Sequence, residues 1–249
     1  MKKDVSLSHE FALYYELLPD FLKSGSQLVV DEKDFVHRVE RVLRLKVGEK
    51  LVLFNRARHA TAQLIQMDRK RVSFEIVSVA RNSIYAPRIT FLLPILKRDA
   101  LASAMYYLVE SGVNEIQLLS TQGVQRSWAG SQEMERLERI CIAAAEQSKN
   151  FSFPVLKEPI SIAQAAATIA QGAHCFYGSP EGLSFRDIIS NTVPEQLVLT
   201  CGPESDFTVR EKEQLQAAGF TPLRLTPTIL RAETAALCVS ALFRTVFSR

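Results

Sequence analysis

What this chain lacks narrows it first. Its four cysteines, Cys141, Cys175, Cys201 and Cys238, are scattered, and no two have C-x-x-C spacing. That argues against a zinc site and a disulfide framework, and leaves buried free thiols as the expectation. The ten glycines include no G-x-G pair, so both the dinucleotide fingerprint and the G-x-x-x-x-G-K-[ST] phosphate loop are missing. The histidines His9, His37, His59 and His174 never form H-E-x-x-H, and nothing in their spacing points to Ser–His or Cys–His catalysis. No metal is expected. No apolar run approaches the roughly 20 residues that span a bilayer. Residues 1–6 are not followed by an apolar stretch of signal-peptide length. A cytoplasmic protein with no membrane partner is therefore expected.

What is present is unevenly distributed. The formal net charge is +3 over 249 residues. Residues 1–88 carry 16 Lys and Arg against 11 Asp and Glu, and the remainder 14 against 16. Within 38–81 the count is 11 basic against 4 acidic. A basic block joined to a near-neutral one suits a polyanion-binding module attached to something else. A solvated surface rich in lysine and arginine would have the same composition.

The hydrophobic period changes near residue 85. Residues 27–81 read as short strands, Gln27–Val30, Lys50–Phe54, Ala60–Gln66 and Val72–Val79, with a brief helix Phe35–Leu43 capped by Asp34. Such strands with polar turns predict a small barrel or sandwich. Residues 81–87 read as a linker. Strands at Ile89–Leu96, Glu115–Leu119, His174–Tyr177, Gln196–Thr200 and Pro222–Leu225 then alternate with helices at Asp99–Ser111, Gln132–Ser148, Val209–Ala218 and Ala232–Phe247. That alternation predicts a parallel sheet with helical crossovers, hence an α/β domain over 85–249 after a β domain over 1–84.

In open α/β sheets, ligands bind at the carboxyl ends of the strands. Two strand-to-helix bends there combine a loosened backbone with a few polar groups. The first is Leu199-Thr200-Cys201-Gly202-Pro203-Glu204-Ser205-Asp206, followed by a Thr208–Glu211 capping box. The second runs Leu225-Thr226-Pro227-Thr228-Ile229-Leu230-Arg231-Ala232-Glu233-Thr234-Ala235. Its apolar pair beside Arg, Glu and Thr suits a pocket with an apolar floor and polar anchors. An ordinary Gly-Pro connector and a surface Arg–Glu pair would look similar.

Five segments, in one order, carry a resemblance. They are His37-Arg38-Val39-Glu40-Arg41-Val42-Leu43-Arg44 with Leu45–Glu49; Glu110-Ser111-Gly112-Val113-Asn114-Glu115-Ile116; Ala143–Ser148; Gly202-Pro203-Glu204; and Ile229–Ala235. Together they resemble the small-subunit (16S) ribosomal RNA uridine-N3 methyltransferases, the RsmE family of the SPOUT class. The resemblance implies an N-terminal PUA-like β-barrel that grips RNA. It implies a C-terminal SPOUT domain whose last segment threads a deep trefoil knot, an exception to the rule against knotted chains. It implies S-adenosylmethionine (SAM) as cofactor, held by Leu199, Thr200, Cys201, Gly202, Pro203, Leu225, Thr226, Ile229, Leu230, Thr234 and Ala235. It implies a homodimer partly built on the C-terminal helix, although an internal core helix would show the same pattern. It also implies a role in rRNA processing and ribosome biogenesis, with ribosomal RNA or the small subunit as partner. On this reading Arg231 stabilises the uracil anion, Glu204 or Glu233 positions it or the loops, and Arg38, Arg41, Arg44, Arg56 and Arg58 contact phosphates.

The chain departs from the family at several points. Ser205 and Asp206 stand where the family has two glycines. Thr226 and Thr228 replace a glycine and an arginine, Asn150 an arginine, and Tyr107 a lysine. Three other readings follow: a paralog with another RNA target, a non-catalytic RNA-binding member without productive SAM binding, and an unrelated metabolic α/β enzyme.

Overall fold

The structure, a computed structural model, describes residues 11–124, 127–188 and 193–247. Residues 1–6, read above for a leader, lie outside it. The chain separates into two compact units, Met1–Ser83 and Ile84–Arg249.

The first unit is a five-stranded sheet. Its strands are β1 (Phe11–Tyr14), β2 (Gln27–Val30), β3 (Lys50–Phe54), β4 (Arg58–Met67) and β5 (Val72–Arg81), in the order β1-β3-β4-β5-β2. Period-two alternation builds it. Along β4 the side chains of Ala60, Ala62 and Leu64 are fully buried, and Thr61 and Gln63 between them are half-exposed. They join Leu13, Leu51, Phe74 and Ile76 in one apolar cluster. The β4–β5 hairpin is closed by Asp68, whose carboxylate accepts the N–H groups of Lys70 and Arg71 at 2.8 and 3.0 Å. Those donors favour the charged form and hold the Asp68 carboxyl below its usual pKa.

Two expectations for this unit need correction. The helix α1 (Lys33–His37) starts two residues before Phe35 and continues as one π-helical turn, Arg38–Val42. Asp34 is not its cap; it sits inside the first turn, and Glu32 holds the cap position without a side-chain bond. Strand β1 escaped the pattern because its four residues earn their pairing from a strand far along the chain, with Leu13 opposite Leu53.

The second unit is a six-stranded, all-parallel sheet. Its strands are β6 (Arg88–Pro94), β7 (Glu115–Ser120), β8 (Val155–Ser161), β9 (His174–Ser184), β10 (Gln196–Thr200) and β11 (Phe220–Arg224). The helices are α2 (Arg98–Glu110), α3 (Ser131–Ser148), α4 (Ile162–Ala167), α5 (Phe185–Ile188), α6 (Val209–Ala217) and α7 (Ala232–Phe247). The sheet order is β11-β9-β10-β6-β7-β8. The chain lays β6, β7 and β8 outward from the centre, then crosses back to place β9, β10 and β11 on the other side. Succession therefore reverses at the β6–β10 pair, the position where open α/β sheets form a ligand crevice.

Strand β8 and the short helices α4 and α5 were not expected. β8 is an edge strand carrying Pro159, and it buries little. Strand β9 runs past Tyr177, but not regularly. Opposite β11 the register moves from Tyr177–Pro222 directly to Leu183–Leu223, so residues 178–182 leave the ladder as a bulge. A Cβ on Gly182 would lie 2.5 Å from the backbone of Pro222 and Leu223, so glycine is required where the bulge rejoins.

Helix α7 buries Ala236, Val239, Ser240, Phe243 and Phe247 within this unit. Phe243 stacks on Phe176 at 4.8 Å between ring centres. Arg244 donates to the carbonyls of Pro87 and Gly112 at 2.9 and 2.7 Å. Ser111 donates to Ser240 Oγ at 2.9 Å. This face of α7 is an internal core. Leu237, Cys238, Ala241 and Leu242 on the remaining surface are half-exposed.

Candidate functional site

A cleft of about 660 Å³ opens at the carboxyl ends of β6, β9, β10 and β11. Four segments wall it: Lys97 and Ala100 after β6, Gly178–Pro180 in the β9 bulge, residues 201–204 and Asp206 after β10, and residues 225–226, 228–233 and Ala235 after β11. Both bends singled out in the sequence thus face one space. They also touch: the buried Cys201 thiol donates to the Ala232 carbonyl at 3.5 Å. Burial pushes that thiol up to about 12, aided by the negative charges of Glu233 and Asp206, so it is a neutral wall of the cleft.

The first bend is a turn, with Asp206 N–H donating to Pro203 O at 2.9 Å. Its side chains reach outward to neighbouring segments. Glu204 Oε1 accepts the backbone N–H of Lys97 at 2.8 Å, fastening the bend to the start of α2. Ser205 Oγ approaches Gly123 O at 3.4 Å. Asp206 stands at φ 62°, the left-handed region, where a glycine is free and an aspartate is tolerated. Its Oδ1 accepts Phe207 N–H at 2.7 Å and its Oδ2 meets Lys212 Nζ at 2.7 Å. The added carboxylate is therefore paired at the wall and does not stand as a lone charge. At Gly202 a Cβ would fall 2.5 Å from Asp206 Oδ1 and 3.2 and 3.3 Å from Asp206 Cα and Phe207 N, so a side chain there would displace the Asp206 carboxylate and press on the turn backbone.

The second bend begins with Thr226, whose hydroxyl donates to Thr228 O at 2.7 Å. That bond closes the turn locally, where a glycine would do so by backbone freedom. Ile229 is exposed at 87 %, an apolar side chain presented to the cleft. Arg231 accepts the Ala235 N–H on its carbonyl at 2.8 Å as α7 begins. Its side chain is exposed and, among the described residues, makes no ion pair.

The expected cofactor residues divide. Cys201, Gly202, Pro203, Leu225, Thr226, Ile229, Leu230 and Ala235 line the cleft, as do Glu204, Arg231 and Glu233. Leu199 and Thr200 do not: both are fully buried in β10, and Thr200 Oγ1 donates to Leu92 O at 2.6 Å. Thr234 is exposed outside the lining. Sequence reasoning missed Lys97, Asp206 as a wall residue, and Gly178–Pro180. The Gly-Ser-Pro run after a strand was a turn signal that could have flagged the last of these.

The expected RNA contacts fall on two segments. Arg38, Arg41 and Arg44 follow β2, and Arg56 and Arg58 join β3 to β4. Arg41 is exposed with Glu40 at 3.4 Å, and Arg44 is exposed at φ 52° where the π turn ends. Arg38 and Arg56 both have partners. Arg58 is committed to structure: it is paired with the Asp20 carboxylate at 2.7 Å, donates to the Asp20 carbonyl, and exposes only 16 % of its side chain. Asn150 is buried and donates to Val109 O at 2.8 Å. Cys141, Cys175 and Cys201 are buried free thiols, and Cys238 is half-buried. Among the described residues no cluster of His, Cys, Asp and Glu could hold a metal ion, and no helix is long and apolar enough to cross a membrane.

Comparison with known proteins agrees in both units. The family model described as RNA methyltransferase domain matches residues 85–244, and that described as RNA methyltransferase PUA domain matches 41–77. Ribosomal RNA small subunit methyltransferase E of Rickettsia conorii is 29 % identical over 228 residues, covering 90 % of this chain and 91 % of the relative. The crystal structure of ribosomal RNA small subunit methyltransferase E from Neisseria gonorrhoeae, bound to S-adenosyl methionine, superposes with TM-score 0.84 at 26 % identity. It covers 96 % of this chain and 99 % of that one. A putative methyltransferase from Legionella pneumophila, in complex with SAM, gives TM-score 0.83 at 26 % identity with the same coverage. With a PUA-like first unit, a SPOUT-type second unit and relatives that span nearly its whole length, the chain belongs to the RNA methyltransferase family that includes ribosomal RNA small subunit methyltransferase E.

Proposed function

We propose that this protein is a SAM-dependent rRNA methyltransferase that methylates N3 of a uridine in small-subunit (16S) ribosomal RNA. One observation carries the reading: the two bends near 202 and 230 wall a single cleft at the sheet's switch point, with Arg231 at its lining. The residues present fit the cofactor. The volume is in the range of roughly 300–1,000 Å³ common for small-molecule sites. Leu225, Ile229 and Leu230 offer apolar surface for an adenine, and Glu204 and Glu233 offer negative charge for a sulfonium. Bound SAM supplies an electrophilic methyl group on a cationic sulfur.

The chain's own part is placement and charge. The cleft must hold the uracil nitrogen in line with the methyl and keep water out. Loss of the N3 proton to bulk water leaves negative charge spread onto the uracil oxygens. Arg231 is the cation that stabilises it, and Lys97 stands on another wall of the same cleft. Glu204 is a positioning residue, acting through its bond to Lys97 N–H. The PUA-like unit binds the RNA backbone through Arg41 and Arg44, with Arg38 and Arg56 nearby in sequence. A homodimer using the half-exposed side of α7, a knotted passage of the C-terminal segment, and a cytoplasmic site of action complete the proposal.

The test is transfer of labelled methyl from SAM to small ribosomal subunits stripped of that modification, followed by mass spectrometry of the product nucleoside. 3-Methyluridine is the expected product. A different modified nucleoside would redirect the substrate, and an absence of SAM binding by calorimetry would overturn the enzymatic reading.

A further inference from the structure

We infer that the Asp206–Lys212 ion pair is a bolt that pre-forms the cofactor wall of the cleft. The inference rests on the SAM-binding reading of the cleft.

Asp206 combines three features. It lines the cleft, it holds a left-handed φ of 62°, and both its carboxylate oxygens are engaged, one by Phe207 N–H and one by Lys212 Nζ, each at 2.7 Å. Lys212 belongs to the first turns of α6, whose start is fixed by the Thr208–Glu211 capping box. Glu211 in turn accepts Gln122 N–H at 2.7 Å, so α6 is anchored to the segment after β7. A bond from Lys212 to Asp206 therefore ties the end of the bend to an anchored helix. Lys212 also lies in the field of Tyr177, just before the β9 bulge that forms another wall, and of Glu181 within that bulge. Gln216 of α6 donates to Tyr177 Oη at 3.1 Å. One helix thus braces two walls of the site.

The geometry separates this role from plain stability. The pair is partly exposed, 33 % and 52 %, so it adds little to global folding. Left-handed φ also disfavours aspartate relative to glycine. Removing Asp206 should leave the fold as stable or more so, while loosening the wall that meets the cofactor.

The experiment measures SAM affinity by calorimetry, thermal midpoint and steady-state kinetics for Asp206→Asn, Asp206→Gly, Lys212→Met and the Asp206→Asn/Lys212→Met double variant. Asn keeps the acceptor for Phe207 N–H and tolerates the backbone but loses the charge. Expected are a drop in SAM affinity of roughly two- to fivefold in each single variant, no further drop in the double, and midpoints within a degree or two of the parent. KM for SAM should rise by more than turnover at saturating SAM falls. Raised salt should weaken SAM binding by the parent protein more than by Lys212→Met. Unchanged affinity in the single variants, additive losses in the double, or losses that track the midpoint would each overturn the inference. If the parent protein itself binds no SAM, the functional reading fails first.

Discussion

The two units treat their charged residues differently. In the PUA-like unit the arginines that looked functional are spread over two segments, and Arg58 is spent on Asp20. In the SPOUT-type unit the chemistry-bearing residues come from bends 25 or more positions apart and meet on one cleft. A binding surface for a polyanion tolerates dispersion, because backbone contacts are individually weak and summed. A methyl-transfer site does not, because alignment within a fraction of an ångström decides the rate. Charge composition marks the first kind of site, and only convergence marks the second.

The largest expected effect tests the convergent site. Arg231→Ala should lower methyl transfer by about 10²–10³-fold, the loss typical of removing one donor to a developing oxyanion. SAM affinity should change little. A rate within threefold of the parent would remove Arg231 from the chemistry and blur the contrast between the units. Next, Arg58→Ala should destabilise the first unit by about 1–3 kcal/mol, seen as an earlier chemical unfolding transition. It should shift RNA affinity less than its charge suggests. Smaller still, Arg41→Ala and Arg44→Ala should each weaken RNA binding uniformly across sequences and reduce the salt slope by about one. A loss larger for Arg58 than for these two, at equal stability, would reverse the assignment of roles.

The smallest effect separates the units by pH. All four cysteines lie in the second unit. Burial raises Cys175 from 9.0 to about 11 and Cys201 from 9.0 to about 12. Their folded values exceed the unfolded ones, so the neutral thiols support the fold fully below pH 9. As pH rises from 9 towards 12 the unfolded thiols ionise first, and that support is lost. In the first unit Tyr15 is raised from 10.0 to about 12, by burial and then by Glu32. Its contribution fades later, above pH 10. Alkaline titration should therefore begin to weaken the second unit first, and thiol reagents at pH 8 should leave Cys201 intact until unfolding.

Much of the framework was legible because it is written in local patterns. β2, β3, β10 and α7 have the limits that alternation and period 3.6 predict. The Thr208–Glu211 capping box forms as spaced. The elements that escaped are those whose stability comes from elsewhere. β1 is four residues paired across the chain, and β8 is an edge with a proline. The β9 bulge reads as a turn until its pairing with β11 is known.

By itself the sequence determined the two-part architecture, the parallel sheet, the bends at 202 and 230 and, through five ordered segments, the family. The reason is that hydrophobic period, capping and turn chemistry act over a few residues. Only tertiary structure decided which residues meet. It brought Lys97, the 178–180 bulge and Asp206 to the cleft, sank Leu199 and Thr200 into the sheet, and turned Arg58 from a surface charge into a strut. Those outcomes depend on sheet order and register between distant strands, which no short stretch of chain encodes.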